Sequence, residues 1–111
     1  MVKNYIIPIE LQSELCDRAN KFSDQYLKKS GCRYIPDCRG KFVYLLRSTK
    51  YDAFERVGRL TYDGDLENMD FAIFQYSTEK YDVNEIFFPG VGLLDGTIEG
   101  AMKACLKAYP V

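Results

Sequence analysis

The chain has 111 residues, of which 47% are hydrophobic and 28% charged, a balance typical of a globular chain that can bury its own core. With 15 basic and 16 acidic residues its formal net charge is −1, which gives no general attraction to nucleic acid or to anionic membranes but leaves room for a local basic patch. The absence of histidine excludes histidine-based acid–base catalysis, Ser-His and Cys-His nucleophile pairs and histidine-containing metal sites.

The first predicted element is a helix over Ile9–Lys29. Its apolar residues recur every three or four positions and form one stripe: Leu11, Leu15, Ala19, Phe22 and Tyr26. Pro8 suits the start of this helix, because the first helical positions need no backbone N–H, and Gly31 is a C-terminal signal. Glu14 stands four residues before Arg18, which favours an ion pair on the helix surface.

A connector is predicted next, over Cys32–Gly40, because Pro36, Asp37 and Gly40 interrupt any regular pattern. Runs of β-branched and aromatic residues between polar turns then predict three strands and a short fourth one. These strands are Lys41–Arg47, Glu55–Tyr62, Met69–Tyr76 and Ile86–Phe88. A second apolar stripe predicts a helix over Thr97–Tyr109.

The order of these elements predicts the fold class. Short polar connections between consecutive strands imply antiparallel hairpins, and strands grouped between two helices favour an α+β arrangement. The sequence therefore predicts a single two-layer α+β domain over residues 1–111. It has an N-terminal helix, an antiparallel meander of three to four strands and a C-terminal helix, with both helices on one sheet face.

The alternation of side chains along the strands predicts two different sheet faces. If Arg47 lies near Arg56, and Tyr62 near Met69, one face is the core that the helices cover. It carries Val43, Leu45, Gly58, Leu60, Met69, Phe71 and Ile73, with Lys41, Arg47, Arg56 and Gln75 at its ends. The opposite face carries Phe42, Tyr44, Leu46, Val57, Arg59, Thr61, Ala72, Phe74 and Tyr76. A slip of one residue in the register would exchange the two faces.

The second face is predicted to be the binding surface, because it is too apolar to stand free in water. We expect a homodimer partner, another protein or the polar loops of the same chain to cover it. A partner on this face predicts a non-enzymatic self-association or protein-binding domain. An alternative is single-stranded nucleic acid or a small anion on the same face, although the acidic balance of the chain argues against nucleic acid. The candidate residues are Phe42, Tyr44, Arg59, Phe74 and Tyr76.

A glycine-rich segment before the second helix supplies further candidates: Gly90, Gly92, Asp95 and Thr97. A dinucleotide fingerprint G-x-G-x-x-G would need glycine where Asp95 stands, and Asp95 with Glu99 would repel a phosphate. We therefore predict a corner in which Asp95 or Thr97 caps the helix, while Gly100 permits close packing on the sheet. Ligand binding at this corner remains the alternative.

The acidic segments offer little specific chemistry. The run DGDLENMD resembles a calcium loop, but an EF-hand needs glycine where Asn68 stands, so a hairpin turn is predicted. Carboxylates of residues 81–96, such as Asp82, Glu85 and Asp95, could share acid–base work, which makes a small carboxylate enzyme a further alternative. No catalytic residue is assigned, and no cofactor or metal site is predicted.

The four cysteines are interpreted as structural residues. Cys16 and Cys105 fall on apolar helical stripes, where a thiol acts as a small hydrophobe. The spacing of Cys32 and Cys38 does not fit a zinc knuckle, and a redox role for this pair is the alternative. Because no signal peptide or run of eighteen apolar residues is recognised, we expect a cytoplasmic protein without membrane contact.

Overall fold

The computed structural model of the protein describes residues 5–49, 53–85 and 87–111. In these residues the chain forms an N-terminal helix, five antiparallel strands and a C-terminal helix, and the strands lie in the sheet in their sequence order. The elements are α1 (Ile9–Tyr26), β1 (Arg33–Arg39), β2 (Phe42–Ser48), β3 (Phe54–Thr61), β4 (Asp70–Gln75), β5 (Lys80–Asp82), a 3₁₀ turn (Val91–Leu93) and α2 (Ile98–Ala108). The predicted α+β class is confirmed, with five strands in place of three or four.

The first and last strands were missed by the sequence prediction. β1 lies within the predicted connector, where Pro36 is tolerated because this strand is at the edge of the sheet. β5 lies within a segment predicted to be a polar loop, and it pairs with only Ile73–Gln75 of β4. The short strand predicted at Ile86–Phe88 is wrong for Phe87 and Phe88, which belong to no strand, and Ile86 lies outside the described residues.

Helix α1 packs on the sheet through the predicted apolar stripe. Leu15, Ala19 and Phe22 are buried, whereas Tyr26 is exposed. The helix ends at Tyr26, three residues before the predicted end at Lys29. Ser23 is buried as well, because its hydroxyl donates to the carbonyl of Ala19 at 2.8 Å and accepts the N–H of Tyr34 at 3.0 Å. This hydroxyl therefore joins the helix to the edge strand β1 without leaving a polar group unpaired.

The register of the sheet agrees with the predicted pairing at one end and differs at the other. Thr61 pairs with Asp70, which continues the expected register of Tyr62 and Met69. Arg47 pairs with Glu55 rather than lying near Arg56, because a β-bulge shifts the register between Leu45 and Leu46.

The bulge also changes which face two residues of β3 occupy. Val57, predicted on the second face, is fully buried in the core, and its carbonyl lies 3.8 Å from the Sγ of Cys105 in α2. Arg56, predicted at the end of the core face, lies instead over the ring of Phe74 on the opposite face. The extra residue therefore supplies one more apolar side chain to the core and one more cation to the opposite face.

Arg18 joins three separate parts of the chain on the helical side of the molecule. Its guanidinium donates to both carboxylate oxygens of Glu99 in α2, at 2.7 and 2.5 Å. It also reaches Glu67 in the β3–β4 connection at 2.7 Å and the predicted partner Glu14 at 3.4 Å. A bidentate pair of this kind fixes direction as well as distance, so Arg18 orients α2 relative to α1.

This pair makes part of the stability dependent on pH. The hydrogen bonds from Arg18 lower the pKa of Glu99, against the opposing effect of desolvation. A carboxyl whose pKa is lowered on folding stabilises the protein above its unfolded pKa and loses this contribution as the pH falls through its folded pKa. We expect the difference in unfolding free energy between the native chain and Glu99→Gln to shrink as the pH falls below about 4.3. Urea denaturation of both proteins at several pH values measures this difference in unfolding free energy. Glu14→Gln serves as the control with little effect, and a difference that does not change with pH contradicts the assignment.

Candidate binding face

The side of the sheet opposite the helices carries aromatic side chains together with arginines. We call this surface the open face and define it by residues that β2, β3, β4 and β5 place there by alternation: Phe42, Tyr44, Leu46, Arg56, Arg59, Phe74 and Tyr81. Four of the five sequence candidates lie on it. The fifth, Tyr76, lies just past the end of β4.

The rings of the open face touch one another and so shield much of their apolar area. The ring centroids of Phe42 and Tyr44 are 5.9 Å apart, and those of Tyr44 and Tyr81 are 5.4 Å apart. Phe74 lies 5.0 Å from both Tyr81 and Tyr76, which leaves it only 3% exposed. The aromatic row therefore forms a continuous and largely self-covered surface.

Tyr76 links this row to the end of α2. Its ring lies 5.3 Å from the ring of Tyr109, and its hydroxyl donates to the carbonyl of Arg56 at 2.6 Å. The hydroxyl of Tyr109 donates in turn to the carbonyl of Phe74. Tyr76 is therefore engaged in holding β3, β4 and α2 together as well as bordering the open face.

Two guanidinium groups rest on the aromatic row. The Cζ atom of Arg59 lies 4.5 Å from the ring centroid of Phe42 and 5.4 Å from that of Tyr81. The Cζ atom of Arg56 lies 5.7 Å from the ring centroid of Phe74. These distances are those of cation–π contacts, so the rings hold both cations on the surface of the sheet.

Neither cation has an acidic partner in the part of the chain that the structure describes. Ion pairs there involve Arg18, Arg33, Arg39 and Arg47, but neither Arg56 nor Arg59. The Nε of Arg59 is buried, and it alone among the buried side-chain nitrogens and oxygens of the described residues lacks a hydrogen-bond partner. A buried donor without a partner costs roughly 1–3 kcal/mol, so this position is not arranged for maximum stability.

A groove of about 320 Å³ opens beside Arg56. Its lining combines a charged rim with apolar walls: Asp37, Arg39, Tyr44, Leu46, Arg56 and Tyr81. Asp37 forms an ion pair with Arg39, whose Nε lies 2.9 Å from its Oδ2 atom. Burial raises the pKa of Tyr81, while Arg56 acts in the opposite direction as a nearby positive charge. The groove therefore joins one free cation to apolar surface.

Sequence reasoning missed Arg56 and Tyr81 for identifiable reasons. Arg56 was assigned to the core face because the bulge in β3 leaves no mark in the alternating pattern of Arg56–Leu60. Tyr81 was assigned to a loop because β5 is only three residues long. Its pairing with Phe74 depends on β4 rather than on any local pattern.

The glycine-rich candidates do not belong to the open face but form the corner before α2. Thr97 is the N-cap, and its hydroxyl accepts the N–H of Gly100 at 3.0 Å. The Oδ1 of Asp95 accepts both the N–H and the hydroxyl of Thr97, and these bonds lower the pKa of Asp95. Gly92 is exposed, whereas Gly90 packs so closely on α2 that a Cβ would lie 2.7 Å from the carbonyl oxygen of Ala104.

The close approach predicted for Gly100 has a different neighbour from the one expected. A Cβ at this position would lie 2.2 Å from the Oδ1 of Asp95 and 2.8 Å from the carbonyl oxygen of Leu93. Gly100 therefore makes room for the corner itself rather than for the sheet.

The carboxylates of residues 81–96 are engaged in local contacts. Asp82 accepts the N–H of Asn84 at 2.9 Å, and Glu85 accepts the N–H of Phe87 at 2.8 Å and the amide of Gln75 at 3.2 Å. No group of three acidic or cysteine residues within the described ranges could hold a metal ion. These contacts stabilise turns and give no support to shared acid–base chemistry.

The four cysteines are free thiols. Cys32 and Cys38 lie at opposite ends of β1, about 20 Å apart along an extended strand, which is too far for a disulfide in this fold. Burial raises the pKa of Cys38 to about 11 and that of Cys105 to about 12, so neither is an activated thiolate. Arg39, the residue after Cys38, pairs with Asp37.

Comparison with known protein families, with curated proteins and with solved structures finds no match to this chain. Neither of the helices in the described residues has the combination of length and apolar character that is needed to cross a bilayer. The function must therefore be argued from the chain's own geometry.

The corner before α2 gives a test of close packing. We expect Gly100→Ala to lower the unfolding free energy by about 1–3 kcal/mol, because the clash with Asp95 and Leu93 outweighs the better helix propensity of alanine. Gly92→Ala is the matched control, since a Cβ there meets no atom within 4 Å. Urea denaturation midpoints compare the two variants. Equal unfolding free energies of the two variants would show that the corner accommodates a Cβ at position 100 without a loss of stability.

The unpaired cation gives a second test of stability. We expect Arg59→Met to keep the unfolding free energy or raise it by up to about 1 kcal/mol, because methionine still covers the rings and removes the unpaired Nε. The same change at Arg47, which is 5% exposed and bonded to Glu55 and the carbonyl of Tyr109, should cost about 2–4 kcal/mol. Thermal and urea unfolding measure both variants. If Arg59→Met lowers the unfolding free energy by more than about 1 kcal/mol, Arg59 stabilises the fold and the expectation is wrong.

Proposed function

We propose that the protein is a non-enzymatic binding domain whose open face docks a protein partner. The observation that carries this proposal is the pair Arg56 and Arg59, two cations held on aromatic rings without an acidic partner among the described residues. Arg59 is half-buried, where a charged side chain is normally paired, whereas Arg56 is exposed. Arginine and tyrosine are both enriched at the centre of protein interfaces. The surface of a partner would supply the missing acceptors.

A second copy of the chain is the less favourable partner for this face. Two open faces packed together would bring four unpaired guanidinium groups into one interface, and like charges placed against each other oppose association. We therefore propose a different protein, and not a second copy of this chain, as the partner of the open face. The four free thiols fit a reducing compartment, so the proposal includes a cytoplasmic location.

A library of random peptides displayed on phage tests the proposal without knowledge of the natural partner. The library is selected on the native protein alone, and each enriched peptide is then measured on the double variant Arg56→Gln/Arg59→Gln. We expect enriched peptides to lose binding to the double variant and to keep it on Arg33→Gln. Arg33 carries the same charge, but its guanidinium is held against α1 by Asp24 at 2.9 Å.

Two outcomes would overturn the proposal. Peptides that bind the double variant as well as the native protein would show that the open face is not the binding surface. The second outcome comes from sedimentation velocity at micromolar concentration, where we expect the native protein to be a monomer. A dimer that the double variant dissociates would assign the face to self-association.

A further inference from the structure

We infer that the partner docks on the open face through an acidic segment, with aspartate or glutamate carboxylates that pair with Arg56 and Arg59. This inference rests on the proposed function and names the chemistry of the ligand. Some groups of the open face are already in contact with neighbouring side chains and others have no partner, and this difference indicates the ligand.

Three rings of the open face already carry a guanidinium. Arg59 rests on Phe42 and Tyr81, and Arg56 rests on Phe74. A nucleobase or a partner's aromatic ring could stack on these rings only by displacing a guanidinium and giving up its cation–π contact. The open face therefore favours a ligand that leaves the arginines where they lie.

Arg56 is exposed and Arg59 is half-buried, so the outer N–H groups of both arginines are the free groups, whereas the buried Nε of Arg59 is out of a ligand's reach. A guanidinium that rests on a ring still offers its edge, whose planar fork of donors matches a carboxylate. Arg56 and Arg59 make no side-chain hydrogen bond or ion pair with the described residues, whereas Arg39 is committed to Asp37. Two such cations three residues apart in β3 can bind carboxylates along one extended segment.

The groove beside Arg56 fits the same chemistry. Leu46, Tyr44 and Tyr81 give it apolar walls, and Arg56 gives it a positive charge. The methylene groups of a glutamate can lie against the apolar walls while its carboxylate reaches Arg56. A single-stranded nucleic acid is less well matched, because its bases would need the occupied ring faces and the chain has a net charge of −1.

Fluorescence anisotropy with labelled synthetic peptides tests the inference. The probe is a 12-residue peptide of glutamate and serine, and its matched control replaces every glutamate with glutamine. We expect the glutamate peptide to bind and the glutamine peptide not to bind, with weaker binding at higher salt. Arg59→Gln and Arg56→Gln should each weaken binding by about tenfold or more, and Arg33→Gln by less than about twofold.

Several outcomes would overturn the inference. The first is no binding of the glutamate peptide, and the second is equal binding to Arg59→Gln and Arg33→Gln, which would indicate attraction without a defined site. The third is tighter, Arg59-dependent binding of a labelled oligo-dT of 12 nucleotides, which would identify phosphate as the ligand group.

The peptide selection separates this inference from the proposed function on which it rests. Face-dependent peptides that lack aspartate and glutamate would overturn the acidic partner and leave the binding face in place. Selection that yields no face-dependent peptide would overturn the binding face itself. Face-dependent peptides rich in acidic residues would support both.

Discussion

The β-bulge in β3 is the constraint on which the candidate site depends. In a regular strand, residues three positions apart point to opposite faces, so Arg56 and Arg59 would be separated by the sheet. The extra residue between them turns Val57 into the core beneath α2 and leaves both arginines on the open face. One local irregularity therefore completes the core and concentrates positive charge on the opposite surface.

Four of the six arginines form two contrasting pairs by their surroundings. Arg18 and Arg47 are bonded to acidic side chains or to backbone carbonyls, and they join elements that are distant in sequence. Arg56 and Arg59 lie on rings and have no such partners among the described residues. The first pair contributes to the stability of the fold, whereas the second makes no such contact with the described residues.

Much of this fold could be predicted from the sequence, because the helices and the three central strands have strong periodic patterns. β1 could not be predicted, since Pro36 and Asp37 are typical of turns and only the packing of Tyr34 against α1 reveals a strand. For the site, Phe42, Tyr44, Arg59 and Phe74 followed from alternation along their strands. Tyr81 and Arg56 did not, because a three-residue strand and a bulge are set by pairing between strands.

The outer edge of β1 also affects how the sheet can meet other chains. Because alternate residues direct their N–H groups to the same side of a strand, and the N–H of Tyr34 points to Ser23 in α1, the outward donors of β1 belong to Tyr34, Pro36 and Cys38. The first donor is occupied and the second does not exist. An incoming strand would find one donor, and β5, at the opposite edge, is only three residues long. The sheet is therefore a poor template for cross-β growth.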